Sequence, residues 1–100
     1  MIKNGTRLRS QVCETQVIVV RTSEALQHLR CGGAPMIAIG QEPTATAKLD
    51  PALSCGSVLG KRYVDDSGAE VLVTKAGAGT LSAGSSLLRL KQTQPLPASD

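Results

Sequence analysis

Apolar residues cluster along the 100-residue chain in two short runs, Val17–Val20 within QVIVVR and Val71–Val73 within EVLVTK. Both are rich in β-branched side chains and bounded by polar ones, so both predict strands. Met36-Ile-Ala-Ile-Gly40 offers another. In RTSEALQHLR (21–30) the spacing of Ala25, Leu26 and Leu29 fits a helical turn that Ser23 would cap, and a strand is expected to follow at His28–Arg30. The segment AGAGTLSAGSSLL (76–88) holds too many glycines for a helix and predicts hairpins, with Gly77, Gly79 and Gly84 expected at positive-φ turn positions. VDDSG (64–68) reads as a turn; a cation site built from Asp65, Asp66 and Glu70 explains those residues less simply.

The two halves echo each other. Gly5-x-Arg7 matches Gly60-x-Arg62, and Gln16–Val19 matches Glu70–Val73. Arg21 falls on Lys75, Leu29 on Leu81, Gly32 on Gly84 and Met36 on Leu88. Glycine, basic and apolar positions agree together and in order, which points to a duplicated unit. The expected organisation is a first β-repeat over 1–40 and an Ala/Thr/Pro linker over 41–59, followed by a second β-repeat over 60–91 and a proline-bearing tail over 92–100, all in one compact domain. The fold class expected is all-β, a small barrel or stacked sheets formed by two repeated units related by a pseudo-twofold.

Composition narrows the functions. There is no Phe or Trp and the one aromatic is Tyr63, so the core is aliphatic and its margin of stability small. Chains of this kind recruit a metal, a disulfide or a second subunit, and self-association, as a homodimer or higher oligomer, is expected. The formal charge of +3 is mild, and its carriers, among them Arg7, Arg9, Arg21, Arg62, Lys75 and Lys91, are dispersed. Without a basic stripe or stacking aromatics, nucleic acid is not an expected partner. No leader-like or membrane-length apolar run is present. Three cysteines, an odd number, suit a reducing cytoplasm better than a secreted disulfide scaffold.

Cys13 precedes the first strand, and Cys31 opens Cys31-Gly-Gly-x-Pro-Met36. This arrangement resembles the desulforedoxin type of small rubredoxin-like iron protein, which carries Cys-x-x-Cys-Gly, a strand, a turn and Cys-Cys-Gly-x-x-Met. Cys13 falls on the second cysteine of the first pair, Cys31-Gly32 on the last cysteine and its glycine, and Met36 one residue beyond the family's methionine. Ser10 stands in the first cysteine's place and Arg30 in the third's; in the second half, Ser67 and Ala83 stand near the ligand places. The resemblance implies the scaffold and a close pair of sulfurs. It does not carry over the family's electron transfer, because a tetrahedral iron or zinc site needs four thiolates, or three and a histidine.

Cys55 and His28 would complete a three-cysteine, one-histidine set with Cys13 and Cys31, although on a strand His28 and Cys31 would face opposite ways. For a reactive thiol, Arg30 would lower the pKa of Cys31, and Gly32 and Gly33 would offer backbone N–H groups to an anion. Cys55 reads as a small apolar filler. The leading functional expectation is a non-catalytic cytoplasmic accessory or assembly protein without a cofactor, associated with itself and with a larger enzyme, away from nucleic acid and membrane. Its alternatives are a small metal-binding (iron or zinc) or redox protein using Cys13 and Cys31, and a thiol enzyme centred on Cys31.

Overall fold

In β2 (Gln16–Arg21) and β7 (Glu70–Lys75) every second side chain is driven inward: Val17, Val19, Val71 and Val73 are almost wholly buried, whereas Ile18 and Leu72 are half-buried on the other face. This period of two is what an amphipathic strand requires. The computed structural model describes residues 2–43 and 46–91; the expected tail, 92–100, lies outside the described residues.

The remaining strands are short: β1 (Arg7–Arg9), β3 (Leu29–Cys31), β4 (Ala34–Pro35), β5 (Ile37–Ala38), β6 (Arg62–Val64), β8 (Leu81–Ala83), β9 (Ser86–Leu87) and β10 (Arg89–Leu90). They form two antiparallel sheets, one ordered β10-β6-β7-β2-β1-β5 and the other β4-β3-β8-β9. The sheets are open and stacked, so of the two forms expected for the all-β fold it is stacked sheets, not a barrel, that the chain adopts. One aliphatic cluster joins them, with Leu8, Val17, Val19, Val71 and Val73 from the larger sheet and Leu29, Cys31 and Leu81 from the smaller. Each such buried side chain contributes roughly 1.5–3 kcal/mol.

The strand order has a mirror-like sequence logic: β1–β5 occupy one side of each sheet and β6–β10 the corresponding places on the other. The halves meet at β2–β7 in the larger sheet and at β3–β8 in the smaller. Matching backbone bonds recur, Gly5 N to Val19 O beside Gly60 N to Val73 O, and Met36 N to Leu29 O beside Leu88 N to Leu81 O. Between β2 and β7 the register slips twice, leaving Thr74 and Val20 as bulged residues near opposite ends of the pairing.

The turn expected after Arg21 is a short 3-10 helix, Glu24–His28, with Ser23 Oγ accepting from Ala25 N. The strand that follows starts at Leu29, one residue later than predicted, because the 3-10 helix runs through His28. β8 and β9 are the predicted hairpin, turning at Gly84, whose φ is +61°. Gly77 and Gly79 do not have positive φ; their lack of a side chain serves close approach instead. VDDSG is a turn in which Asp65 Oδ1 accepts from Ser67 N and Ala69 N. Among the described residues, no helix is long and apolar enough to cross a membrane.

Candidate functional site

Cys13 lies in the bend between β1 and β2, and Cys31 ends β3 with its side chain fully buried. Their sulfurs stand 3.7 Å apart. Local chemistry shapes the bend: Ser10, itself buried, accepts through its Oγ from Val12 N and Cys13 N, both at 3.1 Å, and its own N–H reaches Thr15 O. Cys31 ends its strand where Gly32 and Gly33 take φ of +65° and +91°. A side chain on Gly32 would also run into Leu49 and Val12, with 2.6 and 2.8 Å to the nearest atoms.

A strap from the opposite half, residues 76–80, closes over the sulfurs. Gly79 N donates to Cys13 Sγ at 3.3 Å. A Cβ on Gly79 would lie 2.7 Å from Cys31 Sγ and 3.1 Å from Cys13 Sγ, so only glycine lets the backbone come this close. The strap is fixed in turn to the segment before β6: Thr80 N donates to Leu53 O, Ser57 N to Gly77 O, and Cys55 N to Thr80 Oγ1.

Polar groups converge on Cys13. Its sulfur is 3.3 Å from Ser10 Oγ and 3.3 Å from Thr15 Oγ1, and Thr15 Oγ1 is 2.9 Å from Ser57 Oγ, which accepts from Gly77 N. With Cys13 ionised the relay runs in one direction. Gly77 N–H donates to Ser57, Ser57 to Thr15, and Thr15 to the thiolate, while Ser10 uses its oxygen for two backbone N–H groups and its proton for the sulfur. Such chains strengthen each bond in them.

The two thiols are therefore unlike. Burial would push Cys13 up, but the hydroxyls of Ser10 and Thr15 and the backbone N–H groups of Thr15 and Gly79 outweigh it and lower its pKa to about 7. Burial pushes Cys31 up, the neighbouring Cys13 charge adds to this, and its pKa rises to about 11. Near neutral pH Cys13 is about half ionised while Cys31 keeps its proton, and between the two pKa values the pair holds one proton that belongs chiefly to Cys31.

Several sequence expectations are corrected here. Arg30 is exposed on the face opposite Cys31 and donates to Gly33 O, so it does not activate Cys31, whose pKa moves up, not down. Gly32 N is engaged by Thr80 O and is not available to an anion. Cys55 is an exposed thiol, not a core filler, because the strap holds its backbone at the surface. His28 ends the 3-10 helix in solvent while Cys31 is enclosed. Among the described residues, no three His, Cys, Asp or Glu side chains gather as a metal would require. Two cysteine sulfurs with the Gly79 backbone packed over them do not fit a rubredoxin-type centre.

Ser10, Thr15, Ser57 and Gly79 were not legible as site residues. Ser10 alone left a trace, as the residue standing in a missing cysteine's place. Compared with family models, curated proteins and solved structures, the chain matches none of them.

Proposed function

We propose that the protein is a small thiol–disulfide redox protein in which Cys13 is the attacking sulfur and Cys31 the resolving one. A single observation carries this reading: the partly exposed Cys13 sulfur, hydrogen-bonded with Ser10, Thr15 and Gly79 N, is held 3.7 Å from the buried sulfur of Cys31. Closing that gap to a bond of about 2.05 Å requires only small side-chain movement. The co-reactant is a disulfide. The Cys13 thiolate attacks one of its sulfurs, releases the other as a thiolate, and forms a mixed disulfide. Cys31 gives up its proton, its sulfur attacks Cys13 Sγ, and the second substrate thiolate leaves with that electron pair. Two electrons pass from protein to substrate with the one proton that Cys31 releases, any further proton on the departing thiolates comes from solvent, and the Cys13–Cys31 disulfide remains. A desulforedoxin-type scaffold, doubled and without the ligands for iron, is the ancestry this reading favours.

The test is exposure of the reduced protein to oxidised glutathione, followed by thiol counting and peptide mapping. A Cys13–Cys31 disulfide with Cys55 still reducing is the expected product, and a Cys31→Ser variant is expected to stop at glutathione on Cys13. Modification confined to Cys55 would overturn the assignment.

Self-association, as an accessory protein, is the second reading, favoured by the exposure of Val58 and Leu59, at 51% and 61%, and of Leu87 and Leu90. A monomer in a sizing run at micromolar concentration would remove it.

A further inference from the structure

The paired halves differ at one place in a way that calls for an external charge. Glu70 begins β7, and its largely buried carboxylate receives Arg62 at 3.3 Å and Lys91 at 3.0 Å. The residue in the corresponding place of β2 is Gln16, as the pairs Arg21–Glu70 and Gln16–Lys75 at the two ends of the β2–β7 register show. Around Gln16 the cation matching Arg62 is kept, as Arg7. The residue matching Lys91 is Ile39, since Ile39 N bonds to Arg7 O just as Lys91 N bonds to Arg62 O. One half therefore carries its own carboxylate among cations. The other has a neutral amide between Arg7 and Lys75, with an aliphatic wall.

That second place is an open depression of about 390 Å³, lined by Arg7, Lys75, Gln16, Thr74, Ile18 and Ile39. Thr74 is the bulged residue of β7, and its hydroxyl donates to Gln16 O, so the bulge shapes the floor. No carboxylate among the described residues lies within ion-pair distance of Arg7, and Lys75 meets only Glu14, at 4.0 Å with both side chains mostly in solvent.

We infer that this depression on the outer face of the larger sheet binds a small aliphatic carboxylate. Its head group sits between Arg7 and Lys75, beside the Gln16 amide that stands where the other half has the Glu70 carboxylate. Its hydrocarbon body lies on Ile18 and Ile39. Arginine suits this role because its planar fork meets a carboxylate with two parallel hydrogen bonds. The inference is independent of the thiol chemistry, since the depression contains no cysteine.

The experiment is a titration of the full-length reduced protein with sodium hexanoate, followed by amide chemical shifts and calorimetry. Hexanol and inorganic phosphate serve as parallel probes. Saturable hexanoate binding is expected, with shifts concentrated at Arg7, Gln16, Ile18, Thr74 and Lys75. Gln16→Glu, which copies the other half, is expected to weaken it at least tenfold while leaving the fold intact. Lys75→Met is expected to weaken it as well and guards against misfolding of the first variant. Absence of saturable binding would overturn the inference. So would hexanol or phosphate binding as tightly as hexanoate, or binding in Gln16→Glu equal to that of the unaltered chain.

Discussion

At Cys13 two kinds of donor, hydroxyls and backbone N–H groups, act on one sulfur, and their combined effect exceeds the cost of burying it. The rate of alkylation by iodoacetamide, followed against pH with Cys55 changed to serine, is therefore expected to rise with a midpoint near 7. Ser10→Ala should move that midpoint upward and slow the reaction at neutral pH, since the sulfur then loses a donor. Ser57→Ala should act in the same direction from further away, through Thr15. A midpoint unchanged in both variants would mean that the relay does not set the thiolate. The pair also imposes a pH dependence on stability. Cys13, with its pKa lowered from 9.0 to about 7, favours the folded chain fully above about pH 9, and this is lost as pH falls through 7. Cys31, raised to about 11, favours it below about pH 9, and this is lost as pH rises through 11. Urea unfolding of the reduced protein should thus show a thiol-dependent optimum near pH 9, absent when both cysteines are serine.

Among the elements, the strap 76–80 and the β2–β7 pairing carry the most consequence. Gly79→Ala would force its methyl against both sulfurs and Gly32 N, and is expected to destabilise the fold by about 1–3 kcal/mol as an overpacked site. Chemical denaturation would measure this, and a neutral result would place the strap further from the thiols. Glu70→Gln removes the acceptor of two half-exposed cations; a loss of about 1 kcal/mol is expected, diminishing in high salt. The elements themselves were largely legible. QVIVVR and EVLVTK are strands because β-branched residues alternate there between a buried and a partly solvated face, and the glycine-rich run is a hairpin because Gly84 supplies the turn. The site was legible only in its cysteines. Sheet pairing brings Gly79 to Cys13 from 66 residues away and Ser57 to Thr15 from 42, and no local spacing in the sequence encodes those meetings. Arg30 was misread for a related reason: it is adjacent to Cys31 in sequence, but strand alternation sends the two side chains to opposite faces.

For the whole molecule, the decisive feature is that neither half owns a sheet. The aliphatic cluster draws on both, and the longest pairing, β2 with β7, joins them. Cooperative unfolding in one step is expected by both circular dichroism and amide exchange; two separate transitions would show the halves to be independent. The same sharing explains why the thiols are served by both ends of the chain, with Cys13 and Cys31 from one half and their amide cover from the other.

Because β2 and β3 each present an open edge until β7 and β8 arrive, a nick in the backbone near residue 43 should not release two proteins. The pieces should stay clasped, and if parted by denaturant each should seek its lost counterpart, or a copy of itself, to cover the exposed edge. A molecule so divided would behave in dilution as a bimolecular complex, its melting point falling as its concentration is lowered.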